Sequence, residues 1–286
     1  MNINIHEDII LIRELNNITR EDLAKKLDVE PITLLRAENK EHSPSKKLIE
    51  KIYNYAFENK IYLNKIKEML NKEELINSVL LFHGSKQEIN SKIDLKYGRK
   101  NNDFGQGFYC GESYSQSASF VYNYPDSSIY MFSFNPHNLS FYKFNVDQEW
   151  MLIIAYYRGK LDKYKYSPLL ISILDKIKDK DYLIAPIADN KMFSIIDSFI
   201  EGEITDEQCK HCLAATNLGN QYVMLSNKCL NNLVMLEKLY LSQLERKYFE
   251  NLKNEENKIS DDKVKIAKIE YRGKGQYIDE LLKWEK

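Results

Sequence analysis

The segment Asp103–Phe120 reads DFGQGFYCGESYSQSASF, and Leu81–Ser85, LFHGS, lies some twenty residues upstream of it. Gly105 and Gly107 bracket a short turn where backbone can approach a ligand with no Cβ in the way. Phe108–Cys110 reads as a brief strand, Gly111–Ser113 as a break, and Ser115–Tyr122 as the opening of a helix capped by Ser113 or Ser115. Tyr109 ends the strand, while Ser117 and Phe120 lie one turn apart on one helical face. Two glycines, a tyrosine, a hydroxyl and a second ring brought to one small volume suit a flat, amide-bearing ring held between aromatic faces.

Three pieces stand in order: His83-Gly84-Ser85, then Gly105-Gln106-Gly107-Phe108-Tyr109, then Ser115-Gln116-Ser117-Ala118-Ser119-Phe120. In these residues the chain resembles the ADP-ribosyltransferase superfamily, in the branch shared by diphtheria-type toxins and poly(ADP-ribose) polymerases. The fuller pattern, from GRKNNDFGQGFY through DYLIAPIAD to QYVMLS, is similar to a bacterial domain family of unknown function. The resemblance spans roughly residues 79–232 and implies a split mixed β-sheet with helices.

It also implies a chemistry: NAD is the substrate, nicotinamide leaves, and ADP-ribose passes to a nucleophile through an oxocarbenium-like transition state. By the resemblance, Gly84 holds the nicotinamide amide through its backbone, beside Ser85. Ser117 adds a hydroxyl contact, and Tyr109 and Phe120 sandwich the ring next to Gly107. His83 bonds a ribose hydroxyl, and Arg99 is placed for the pyrophosphate. The family's glutamate on the last strand is replaced here by Gln221, which accepts a hydroxyl's hydrogen bond but is no base at neutral pH. Losing that charge costs a few kcal/mol, on the order of a hundredfold in rate. The expectation is an NAD-dependent mono-ADP-ribosyltransferase of the toxin or defence-effector kind, with a macromolecular acceptor and a neutralising antitoxin protein. An NAD glycohydrolase and a non-catalytic NAD- or ADP-ribose-binding transcriptional regulator remain alternatives. Asp103 is expected only to pin the turn, and Glu112 to face solvent.

Upstream, residues 6–58 break into four helical pieces. Thr19 caps the second, with Asp22 in its first turn, and Pro31 opens the third. The order ITREDLAKKLDVEPITLLRAENK is similar to the phage-repressor helix-turn-helix family. That resemblance places a recognition helix on Pro31–Glu38, with Thr33 and Arg36 as base contacts and Arg20 near phosphate. Residues 1–60 hold ten Lys/Arg against eleven Asp/Glu, which is little positive charge for a DNA-binding module. DNA and a protein partner both remain open for this head.

The formal charge of −1 over 286 residues neither demands nor excludes nucleic acid. No apolar run is long enough to span a bilayer, and MNINIHEDII lacks the layout of a secretion signal. The four cysteines follow no disulfide spacing, so a cytoplasmic location and no membrane contact are expected. Cys209-Lys210-His211-Cys212 has metal-ligand residue types but lies within one helical pattern, and no metal is expected.

The organisation expected is α+β: an all-α helix-turn-helix domain over 1–62, a connecting helix over 63–78, an ADP-ribosyltransferase-like domain over 79–250, and a helical tail over 251–286. Within it, Gln221–Ser226 reads as the last strand, Leu233–Asn254 as a long helix, and Ala267–Trp284 as a partly strand-like tail. No βαβ alternation is expected.

Overall fold

The computed structural model of the chain describes residues 3–90, 92–188, 190–215 and 219–283. The helical head comprises α1 (Ile5–Asn16), α2 (Arg20–Leu27), α3 (Pro31–Glu38) and α4 (Lys46–Glu58), followed by α5 (Leu63–Glu74). Next come β1 (Val79–Ser85), β2 (Phe108–Gly111), α6 (Tyr114–Val121), β3 (Ser128–Phe134) and β4 (Phe141–Lys143). They are followed by α7 (Gln148–Tyr157), α8 (Pro168–Ile177), β5 (Tyr182–Pro186), α9 (Asn190–Ile200), α10 (Asp206–Ala214) and β6 (Asn220–Met224). The chain then forms α11 (Asn227–Asn231), β7 (Leu233–Leu239), α12 (Gln243–Glu270) and α13 (Ile278–Leu281). The protein is therefore α+β.

The chain divides into two compact units. The first holds residues 1–89, 113–133 and 234–252; the second holds 90–112, 134–233 and 253–286.

In the first unit the four head helices close over Ile9, Ile12, Leu23, Leu34 and Ile52, all fully buried. Local chemistry sets their ends. Thr19 and Asp22 form a reciprocal capping box, and Ser45 caps α4 through the Leu48 N–H. Strands β1, β3 and β7 follow one another in this unit and pack Leu80, Phe82, Ile129 and Met131 against Tyr114, Ala118 and Val121 of α6. Ser113 and Gln116 box the start of α6, and Arg246 donates to the carbonyls of Val121, Tyr122 and Tyr124 at its end. Both ends of this helix are thus satisfied by named side chains.

Two buried polar clusters of the first unit pair across its elements. Lys67 meets Asp8 and Glu237, each at 2.6 Å, and Asn64 donates to the Tyr114 hydroxyl (2.9 Å) and to Glu245 (3.1 Å). Burial pushes the Glu245 carboxyl up to about 7, against hydrogen bonds from Tyr114 and Asn64 that favour its charged form.

In the second unit the strand order is β4-β5-β6-β2. β4 and β5 are parallel, with Phe141 opposite Tyr182, and β6 runs antiparallel to both β5 and β2. One face carries Leu183, Ala185 and Val223 into a core with α7, α8, α9 and α10. The other carries a ladder of rings, Phe141 over Tyr182 at 5.3 Å and Tyr182 over Tyr222 at 6.1 Å.

Four expectations need correction. Leu233–Leu239 is a strand: Leu233, Met235 and Glu237 are half-buried and alternate with exposed Val234 and Leu236, a period of two that a helical reading of 233–254 overlooks. Gln221–Ser226 is consequently not the last strand. Among its described residues the tail contains no strand, because α12 runs on to Glu270 before α13; Trp284 of the expected tail lies outside the described residues. The parallel β4–β5 pair is also joined by a crossover through α7 and α8, since parallel neighbours need a long return. No helix among the described residues is long and apolar enough to cross a membrane.

Candidate functional site

The turn Asp103–Phe108 is built by the second unit's own packing. Phe104 is buried and meets Phe144 at 5.4 Å. Gly105 sits at φ 75°, and a Cβ there would stand 2.8 Å from the Tyr157 ring. A Cβ on Gly107 would stand 2.8 Å from the Met224 carbonyl oxygen of β6. The two glycines therefore let the turn lie on β6 and on Tyr157. The sequence offers them as room for a ligand; the neighbours they approach are parts of the chain itself.

Tyr109 closes this turn. Its hydroxyl donates to the Gly105 carbonyl at 2.7 Å and accepts from the Phe104 N–H at 3.1 Å. Burial raises the phenol well above its ordinary value, so it stays protonated at any physiological pH. Tyr109 lies opposite Val223, and Gly111 lies opposite Gln221, so Tyr109 and Gln221 share one face of the β2–β6 pair.

Gln221 is buried, and its amide is held from two sides. Its Nε2 donates to Asp103 Oδ2 and to the Pro186 carbonyl, each at 3.3 Å. Among the described residues nothing donates to its Oε1. Asp103 in turn accepts from Arg158 Nη2 at 2.7 Å through its other oxygen. Burial raises the Asp103 carboxyl above the usual range, and the Arg158 guanidinium and the Gln221 amide oppose that rise. Arg158 lies 3.1 Å from the centroid of the Phe193 ring and borders a cavity of about 160 Å³ with Asn101, Lys160 and Asp197.

Asp103 and Arg158 thus belong beside Gln221, a placement that residue order alone misses. The acid preceding Phe-Gly is a visible signal; nothing in the sequence points to Arg158, which follows α7. Glu112, expected to face solvent, is half-buried and accepts from the Asn220 backbone N–H at 3.1 Å. Arg99 is exposed.

The first unit carries the remaining residues. His83, Gly84 and Ser85 are half-buried at the end of β1. A Cβ on Gly84 would stand 2.8 Å from the Ser117 carbonyl oxygen, so β1 and α6 meet here backbone to backbone. Ser117 is buried, whereas Phe120 is 63% exposed. Tyr109 and Gln221 therefore lie in one unit, and His83, Gly84, Ser117 and Phe120 in the other.

In the head, Thr33 and Arg36 are exposed on α3. Glu38 turns inward and takes ion pairs from Arg13 at 2.8 Å and Arg20 at 2.5 Å. Its charge is neutralised inside the head, and Arg20 is engaged in doing so. All four cysteines are buried and free. Cys209 and Cys212 point their thiols at the carbonyls of Ile195 and Val264, and no cluster of metal-ligand side chains exists among the described residues.

Fold and site together define an α+β protein with a helix-turn-helix head, followed by a domain that centres a glycine turn and an amide on paired strands. Residues 9–55 match the helix-turn-helix family. Residues 79–235, more than half of the chain, match the family described as protein of unknown function DUF3990, and the chain belongs to that family. No curated protein and no solved structure matches the chain.

Proposed function

We propose that the protein is an NAD-dependent mono-ADP-ribosyltransferase of the toxin or defence-effector kind, acting on a macromolecular acceptor and carrying a DNA-binding head. The observation that carries this reading is Gln221. Both hydrogens of one buried amide are donated inward, and its carbonyl oxygen stays available on the strand next to Tyr109. A free, fixed acceptor suits a ribose hydroxyl. The motif order His-Gly-Ser, Gly-x-Gly-x-Tyr and Ser-x-Ser-Ala-x-Phe, a resemblance in sequence to the transferases, is the second support.

Cleavage of the nicotinamide–ribose bond leaves positive charge on the ribose, and ADP-ribose passes to the acceptor while nicotinamide departs. Gln221 orients the ribose and takes no proton, so the acceptor must be a good nucleophile or lose its proton elsewhere. Turnover is accordingly slow. The same absence of a base at position 221 favours one further reading, a pocket that binds NAD or ADP-ribose and reports it through the head.

Incubating the protein with labelled NAD and host lysate separates these readings. Labelled macromolecule with nicotinamide release supports transfer. Nicotinamide without label supports an NAD glycohydrolase, and a thermal shift with neither supports the binding-only regulator. No shift, label or release overturns the proposal.

For the head, exposed Thr33 and Arg36 supply base contacts, and the inward pairing of Glu38 removes one negative charge from the recognition helix. A mobility shift on the promoter of its own gene tests this; no retardation at low salt would refute it.

A further inference from the structure

We infer that Asp103, braced by Arg158, is a positioning residue that locks the Gln221 amide with its hydrogens inward and its carbonyl oxygen toward the ligand. An isolated glutamine presents either end of its amide, because the two orientations differ little in shape. Here the choice is made by the surroundings. Asp103 Oδ2 and the Pro186 carbonyl can only accept, and they take the two N–H groups at 3.3 Å each. Turning the amide over would set its oxygen against two acceptors in a buried place. Arg158, at 2.7 Å from Oδ1, favours the charged form of Asp103 against the effect of burial and holds it in place, and stacking on Phe193 fixes Arg158 in turn.

The consequence is specificity. Position 221 accepts and does not donate, so the group that docks there is a hydroxyl or another donor; a phosphate or carboxylate oxygen is refused. This extends the proposed function by naming what selects the ribose hydroxyl, and it rests on that reading only for the identity of the ligand.

The test begins without a ligand. The Gln221 side-chain amide resonances, identified by their loss in Gln221→Met, are followed against pH in nitrogen-labelled protein. They are expected to move as Asp103 takes up a proton, and the response is expected to vanish in Asp103→Asn. The titration of the unaltered chain keeps the test valid if that variant folds poorly. Resonances indifferent both to pH and to Asp103→Asn overturn the inference. NAD affinity is then measured: Asp103→Asn is expected to weaken it about tenfold, the worth of one buried hydrogen bond. Full affinity in Asp103→Asn also overturns the inference, while leaving NAD binding itself intact. If the unaltered protein binds no NAD yet its amide follows Asp103, the proposed function fails and the positioning role stands.

Discussion

Restoring a carboxylate by Gln221→Glu is the substitution that resemblance to the transferases recommends, and the structure predicts that it fails at neutral pH. A glutamate there loses both donors and faces the Asp103 carboxylate at the 3.3 Å now spanned by a hydrogen bond, with the Pro186 carbonyl equally near. Two unit charges about 4 Å apart at an effective dielectric of about 20 repel by about 4 kcal/mol. That amounts to about three pKa units for the pair, which therefore shares one proton up to about pH 7. The folded state then holds a proton that the unfolded chain releases near pH 4.3, roughly the free glutamate value. Stability falls as pH rises through that window and stays low above it. Urea denaturation of Gln221→Glu at pH 5 and pH 8 should show a loss of several kcal/mol between the two, relative to the unaltered chain. The double variant Gln221→Glu with Asp103→Asn should recover most of it. A Gln221→Glu protein as stable as the parent at pH 8 would refute the reasoning, because the amide would then not be held by Asp103.

Four further outcomes are expected. Glu245, raised by burial to about 7 from an ordinary 4.5, keeps a proton in the folded state that the unfolded chain gives up. Stability should therefore drop by about 3 kcal/mol as pH rises from 4.5 to 7, and Glu245→Gln should flatten that slope in denaturant titrations. Gly107→Ala should destabilise by about 1–3 kcal/mol in thermal melts, since its Cβ would meet the Met224 carbonyl oxygen at 2.8 Å. In the head, Arg36→Ala should weaken retention of the specific site by about 1–3 kcal/mol and relax the sequence preference there. Arg20→Ala should instead reduce stability by about 1–2 kcal/mol, because Glu38 loses one of two partners; denaturation and mobility-shift assays on both variants separate the roles.

Residue order alone determined the parts held together by neighbours in the chain. The caps at Thr19, Ser45, Ser113 and Thr205, the proline opening α3 and the break at Gly111–Ser113 follow from hydrogen bonds and sterics within a few residues. Such interactions do not wait for the fold. The three motif segments, and Tyr109 and Gln221 with them, were singled out by resemblance to a family and not by such local forces. Tertiary structure decided what those segments touch. Gly105 and Gly107 face Tyr157 and β6, Asp103 reaches Gln221 across 118 positions of sequence, and Arg158 joins them from the end of α7. Strand β7 also needed a sheet to lie against before an alternation of two could outweigh a helical pattern. Which end of the Gln221 amide is held inward depends on acceptors brought from β5 and from the turn before β2, and distances of that kind are set only when the chain has folded.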